Sequence, residues 1–203
     1  GAGVFGAQQI ISSDTWAADA VHGVDLDNDG DVDVLSAGFY DNLVSWHENL
    51  GGGELGVRQI IVSDLDGPTS VNSKDLNDDG LMDVIATSFY DGRIVWLANL
   101  GNGTFGPQTI LIDNANKARE AIGSDVDDDG DMDVVGILEI ENRIVWFQNS
   151  GGGVFGAAQT INDQAYHPQA LFVGDLGGDG DMDMVTASFA DDKIAWYENF
   201  KRH

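Results

Sequence analysis

The stretch Asp25-Leu26-Asp27-Asn28-Asp29-Gly30-Asp31-Val32-Asp33 returns at a spacing of 50 residues, as 75–83, 125–133 and 175–183. Each copy begins on Asp, carries Gly at its sixth position (Gly30, Gly80, Gly130, Gly180) and closes on Asp at its ninth. Trp46, Trp96, Trp146 and Trp196 keep the same period, as do Asn49, Asn99, Asn149 and Asn199. A period near 50 residues means one supersecondary unit copied four times, and such a unit buries its apolar faces only by stacking on its neighbours.

The acidic stretch has the chemistry of a cation loop. In the first copy Asp25, Asp27 and Asp29 stand at positions one, three and five; Gly30 permits a sharp turn, Asp31 offers a backbone carbonyl and Asp33 closes the set. Hard oxygen ligands at alternating positions around a tight turn suit Ca²⁺, which takes six to eight oxygens. The corresponding candidates are Asp75, Asn77, Asp79, Leu81 (through its carbonyl) and Asp83; Asp125, Asp127, Asp129, Asp131 and Asp133; and Asp175, Asp179, Asp181 and Asp183. The fourth loop has Gly177 at position three and is expected to be weaker, because no side-chain oxygen stands there. The first six residues also match an EF-hand loop, but an EF-hand needs a bidentate Glu at position twelve and flanking helices. Position twelve is Ser36, Ala86, Gly136 or Thr186, followed by a β-rich run, and the EF-hand reading fails. Turn formation alone would explain Asp and Gly here, but four aligned acids exceed what a turn requires.

Each repeat reads as four strands. In the second copy a short strand Val71–Asp75 enters the acidic loop, and 83–90 follows, rich in β-branched and aromatic residues. Asp91-Gly92 is a strong two-residue hairpin signal. Arg93–Asn99 and Phe105–Ile112 make the third and fourth strands, separated by a Gly-rich turn. A weak helical period over Ala115–Ile122 is read as loop. The expectation is an all-β, single-domain β-propeller spanning residues 1–203, with four four-stranded blades and blade motifs at 25–62, 75–112, 125–162 and 175–200 plus 1–11. The chain opens at Gly1-Ala2-Gly3, inside what is a Gly-rich turn in the other copies, so an origin in a longer precursor is expected. The last repeat lacks a fourth strand and the N-terminus carries a spare one, Val4–Ile11. Pairing Val4–Ile11 with Lys193–Phe200 would leave no open sheet edge. Within one chain that closure gives four blades; between two chains it gives an eight-bladed homodimer by strand exchange.

Composition narrows the setting. The formal net charge is −26, and 19 of the 35 acidic residues lie in the four loops. Such a charge argues against nucleic acid and against an anionic membrane surface. No cysteine is present, so neither a disulfide framework nor a thiolate metal site is available. No apolar run reaches the length of a membrane span.

In its Phe5-Gly6, Phe105-Gly106 and Phe155-Gly156 pairs, its acidic loops and its Trp-x-x-Asn pattern, the whole chain resembles the FG-GAP and VCBS repeat families. The resemblance implies propeller blades whose first hairpin binds Ca²⁺ on the face opposite the ligand-binding loops, and an extracellular or cell-surface location. Leu55-Gly56 and Gly177 depart from the pattern.

For catalysis the sequence offers little: His22, His47, His167 and His203 share no ligand spacing, and no nucleophile elbow or phosphate loop occurs. The expectation is a non-catalytic binding or adhesion module, possible carbohydrate binding included; a purely structural repeat of a larger surface protein and a glycan-active enzyme are the alternatives. The segments joining one repeat to the next differ most among copies. With the hairpin tips they supply the candidate ligand residues Trp16, Tyr40, Tyr90, Arg119, Tyr166 and His167. The repeating Trp46, Trp96, Trp146, Trp196, Phe39, Phe89 and Phe189 are expected in the core.

Overall fold

A computed structural model describes residues 3–200. It is all-β, with four antiparallel sheets in sequence order. The first comprises β1 (Ala18–Val24), β2 (Asp33–Gly38), β3 (Leu43–His47) and β4 (Gln59–Val62). The second holds β5 (Pro68–Lys74), β6 (Asp83–Ser88), β7 (Ile94–Leu97) and β8 (Thr109–Ile112). The third holds β9 (Ala118–Ser124), β10 (Asp133–Leu138), β11 (Arg143–Phe147) and β12 (Gln159–Asn162). The fourth has three strands: β13 (Pro168–Gly174), β14 (Asp183–Ser188) and β15 (Lys193–Tyr197). Each sheet is a meander, with the acidic loop joining its first two strands and a tight hairpin joining the second to the third. Among the described residues no helix is long and apolar enough to cross a membrane.

The sheets stack in a row. β1 packs on β5, β5 on β9 and β9 on β13, and no comparable contact joins β13 back to β1. Three apolar cores fill the three gaps. The first gathers Leu35, Val44 and Trp46 against Val71, Val84 and Val95; the second Ile85, Ile94 and Trp96 against Val134, Val145 and Phe147; the third Val135, Ile137 and Ile144 against Leu171 and Met184. Sheets covered on both sides lose the in–out alternation of a half-exposed strand, which is why every residue of β6 and β10 is buried.

A second element locks neighbours together. Asn99 Nδ2 donates to the Leu26 carbonyl of the preceding sheet at 2.7 Å, Asn149 Nδ2 to Leu76 at 2.8 Å and Asn199 Nδ2 to Val126 at 2.7 Å. Gly103 and Gly153, both in the left-handed region, lie so close under Trp46 and Trp96 of the preceding sheet that a Cβ on either would strike the ring. The repeating Trp-x-x-Asn and Gly-rich turn are therefore two halves of an inter-sheet joint.

Several expectations are corrected. The segment Val4–Ile11 forms no strand and is exposed, so it does not pair with Lys193–Phe200 within this chain; residues 1 and 2 of the expected closing segment lie outside the described residues. The fourth strand of each repeat is shorter than read: only Thr109–Ile112 forms β8, while Phe105 makes an isolated bridge to Asn99. Ala115–Ile122 is not a loop, because β9 begins at Ala118 and pairs with β10. Trp196 is 52% exposed where Trp96 is 8% exposed, because no following sheet covers it. Phe39 and Phe89 are half-buried rather than core, and Phe189 is exposed.

Candidate functional site

Two sets of side chains stand at opposite ends of the sheets. The acidic loops close one end; the hairpin tips and the connections entering the next sheet close the other.

In each loop the backbone turns through left-handed conformations at positions four and six, at Asn28 and Gly30 (φ 65° and 96°), Asp78 and Gly80 (61° and 85°), and Asp128 and Gly130 (60° and 97°). Asn and Asp tolerate that region and Gly enters it without steric cost. The turn folds the chain around the first carboxylate: Asp25 takes the Asp29 amide on Oδ1 at 3.1 Å and the Gly30 amide on Oδ2 at 2.9 Å. Asp75, Asp125 and Asp175 repeat the arrangement. The ninth-position carboxylate is a latch. Asp33 accepts from Leu26 N at 2.9 Å and Asn49 N at 2.7 Å, tying the loop to the exit of β3, and Asp83, Asp133 and Asp183 do the same.

These loops fit a hard divalent cation. Oxygens of Asp25, Asp27 and Asp29 lie within 4.8 Å of one another, as do those of Asp125, Asp127 and Asp133. In the first three loops each carboxylate oxygen that accepts an amide keeps a second lone pair, whereas in the fourth Asp175 Oδ1 and Asp183 Oδ2 each accept from two amides. The charges repel in the absence of a cation. Burial, then the charges of Asp29 and Asp33, push the Asp27 carboxyl above its ordinary range; burial, then Asp129, does so for Asp127. Burial also raises Asp83 and Asp133 against the lowering by their two amide donors. In the second loop Asn77 Oδ1 accepts from the Asp79 amide and its Nδ2 donates to the Asp79 carboxylate at 2.9 Å. In the fourth, Gly177 leaves only its amide, which donates to Asp183 at 3.0 Å. A Cβ built at Gly177 would lie 3.5 Å from the Asp179 carboxylate, so a longer side chain has room there. The backbone positions Asp31, Leu81, Asp131 and Asp181 follow each loop's glycine, where their carbonyls continue the turn.

At the other end the connection and the hairpin tip are pinned by a pair of backbone bonds. Phe39 N donates to Ala17 O and Tyr40 N to Trp16 O; Phe89 and Tyr90 repeat this with Gly67 and Asp66, Glu139 and Ile140 with Lys117 and Asn116, and Phe189 and Ala190 with His167 and Tyr166. The second residue of each connection pair is left-handed: Ala17, Gly67, Lys117 and His167. One backbone frame thus presents four different side-chain pairs: Trp16 with Tyr40, Asp66 with Tyr90, Asn116 with Ile140, Tyr166 with Ala190.

Over the first two sheets these pairs merge into a continuous aromatic surface. Trp16 and Tyr40 stand 5.5 Å apart, Tyr40 and Phe39 5.1 Å, Phe39 and Phe89 5.7 Å, Phe39 and Tyr90 5.4 Å, and Phe89 and Tyr90 5.2 Å. Trp16, Tyr40 and Tyr90 are exposed. Lys117 Nζ sits 4.1 Å over the Phe89 ring, a favourable cation–π contact. Of the sequence candidates, Trp16, Tyr40 and Tyr90 are brought together. Tyr166 and His167 occupy the equivalent connection at the far end of the row, where His167 Nδ1 stands 3.4 Å from Glu139. Arg119 lies in β9 itself, half-buried, with its carbonyl accepting from Thr87. Lys117 lies in one of the variable connections that the sequence places on this face, whereas sequence reasoning missed Phe39 and Phe89 as members of the surface; the left-handed position shared by Ala17, Gly67, Lys117 and His167 has no residue-type signature.

The profile of the FG-GAP-like repeat family matches residues 25–86, 75–136 and 125–186. No match was found among curated proteins. Among solved structures, an Agrocybe aegerita lectin described as recognising non-reducing terminal N-acetylglucosamine is 22% identical, with TM-score 0.62, over 88% of this chain and 48% of the lectin. BBS1N, solved in complex with ARL6DN, is 18% identical with TM-score 0.59, over 93% of this chain and 55% of that one. The Photorhabdus luminescens Tc holotoxin pore is 19% identical with TM-score 0.53, over 89% of this chain and 9% of that one. The chain spans about half or less of the length of each, and at these identities the likeness is one of fold.

Proposed function

The chain belongs to the FG-GAP-like repeat family, and on that premise we propose that it is a non-catalytic, calcium-loaded propeller module that binds carbohydrate on its aromatic face, at the cell surface or outside the cell. The observation that carries this reading is the five-ring surface of Trp16, Phe39, Tyr40, Phe89 and Tyr90, three of them exposed on a rigid backbone frame. Sugar rings present C–H faces that stack on aromatic rings, and hydroxyls that pair with polar groups at the rim. Asp66 and Lys117 supply such groups beside Tyr90 and Phe89. The fold shared with a lectin supports the choice of ligand class.

Calcium serves this face indirectly. A cation in each loop would neutralise the clustered acids of Asp25, Asp27 and Asp29 and their counterparts, and would hold the first two strands of each sheet at a fixed separation. The latch from Asp33 to Asn49 then carries that rigidity toward β3 and the hairpin tip. Hard oxygen donors, pre-turned loops and the acidity of the chain all support Ca²⁺ over a softer metal. An immobilised glycan panel that includes terminal N-acetylglucosamine tests the proposal. Binding in 1 mM Ca²⁺ that is lost in Tyr90→Ala and Trp16→Ala, with melting unchanged, is the expected result. Glycan binding equal in both variants and the parent chain would overturn the assignment of this face.

A further inference from the structure

Each connection between neighbouring sheets brings its left-handed residue against the residue that follows the second strand of the preceding sheet. After β10 that residue is Glu139, and His167 Nδ1 stands 3.4 Å from its Oε1. After β6 it is Phe89, and the Lys117 ammonium lies 4.1 Å from the ring centre. After β2 it is Phe39, and the facing residue is Gly67, which brings no side chain. A Cβ there would stand 3.1 Å from Phe39 Cε2 and 3.0 Å from Tyr90 Cδ2, so the two rings close over the bare backbone. The molecule thus seats an ammonium of its own at one aromatic junction and leaves the equivalent junction without one.

The rings at that open junction are steeply inclined: relative to Phe39, Tyr40 lies at 80°, Phe89 at 63° and Tyr90 at 59°. A flat sugar face stacks on one ring, whereas inclined rings turn their negative faces toward a compact group, the geometry that recognises ammonium ions. Charge points the same way. The chain carries −26, and Asp66 is exposed beside Tyr90. The arginines at this end are already paired, Arg58 with Asp41, Arg93 with Asp113 and Arg143 with Glu141. Such a field repels an anionic sugar and draws in a cationic one.

We propose that the junction at Gly67 is an ammonium seat, and that the carbohydrate taken by the aromatic face carries free amino groups: a glucosamine oligosaccharide rather than its N-acetylated form. The protonated amine enters beside Phe39, Tyr40 and Tyr90 with Asp66 as counter-ion, and the sugar ring lies over the exposed Tyr90. N-acetylation removes that charge and adds bulk at the same nitrogen. Gly67 sets the specificity by what it omits, since a lysine there would fill the seat as Lys117 fills the one on Phe89. The inference rests on the carbohydrate reading of this face and adds to it the charge of the ligand and the residue that selects it.

The test is calorimetric titration of the full chain in 1 mM Ca²⁺ at about pH 6, where amines are protonated. The probes are a glucosamine tetrasaccharide, its N-acetylated counterpart, a glucose tetrasaccharide and tetralysine. The amine sugar should bind about tenfold tighter than the other two sugars, the scale of a partly desolvated cation–π contact. Asp66→Asn should narrow that preference about threefold, as for an exposed charge pair. Gly67→Lys should abolish it; a lysine already holds the same left-handed conformation at Lys117 (φ 61°). Lys117→Gly, which bares Phe89 and removes a like charge, should strengthen amine binding. Opposite signs at two equivalent positions are a result that misfolding would not give. Amine binding unchanged in both variants would place the oligosaccharide on the acidic loops and overturn the proposal, as would tetralysine bound equally well. Equal binding of the three sugars overturns the ammonium seat and leaves the carbohydrate reading standing; no binding of any sugar overturns both.

Discussion

The second and fourth repeats share their sequence pattern and differ in their surroundings. Trp96, Ile94 and Leu76 are buried between sheets; Trp196, Ile194 and Leu176, at the same positions, are exposed. In the loops the contrast is chemical: Asn77 presents an oxygen at position three where Gly177 presents none. The comparison teaches that the repeat prescribes a strand pattern and a loop, whereas burial comes from the neighbour and the oxygens a loop offers come from single side chains.

The largest expected effect separates the two repeats directly. Trp96→Ala empties a packed site and should cost about 3–5 kcal/mol, lowering the melting temperature by roughly 10 °C at any protein concentration. Trp196→Ala, at a ring that is half-exposed, should leave melting almost unchanged. Equal losses would break the comparison.

Calcium removal comes next. Affinities of about 10⁻⁴ M, within the range of extracellular modules, would add roughly 1.4 kcal/mol per filled loop at 1 mM Ca²⁺. Thermal melts in chelator should drop accordingly, and an identical melt in both buffers would count against structural calcium. The loop contrast predicts a third effect: Gly177→Asp should raise the affinity of the fourth loop about tenfold, bringing it level with the third, as read by calorimetric titration. No gain would mean that position three is not a ligand.

The pH dependence is smaller and has opposite signs in the two states. Asp27, Asp83, Asp127 and Asp133 have carboxyls raised in the cation-free fold, mainly by burial. A raised folded value means that the native chain holds protons more tightly than the unfolded one, so the associated stability is present below the unfolded carboxylate range, near pH 4, and is lost as pH rises through the raised values. In chelator the melting temperature should therefore fall as pH climbs from about 4 to 6. In excess calcium it should rise over the same interval, because protons no longer compete for the loop oxygens. A melt independent of pH in chelator would show that burial and the neighbouring acids do not raise these carboxyls as described.

Much of this was legible in the sequence because it is local. The 50-residue period, the Asp-Gly hairpin and the alternating loop acids each act within a few residues, and the structure places loop, strand two and hairpin where the pattern put them. What was not legible depends on neighbours. Trp196 and Phe189 carry the same residue types as their buried or half-buried counterparts, so nothing in the chain marks them as uncovered. β9 was misread because Ala118, Ala121 and Ile122 mimic a helical spacing, and its strand character comes from pairing with β10 rather than from β-branched side chains. The sequence places Lys117 on this face, but its seat over the Phe89 ring depends on a left-handed backbone position that sequence does not announce.

The most direct test of the central claim, that these repeats are calcium loops graded by their third position, is equilibrium dialysis of the full chain against Ca²⁺ with the bound metal counted. The account predicts three sites of similar affinity per chain and a fourth that fills only at higher concentration, with one of the three lost in Asp27→Ala and another in Asp127→Ala. Calcium content no greater than that of the dialysis buffer at millimolar concentration would contradict it.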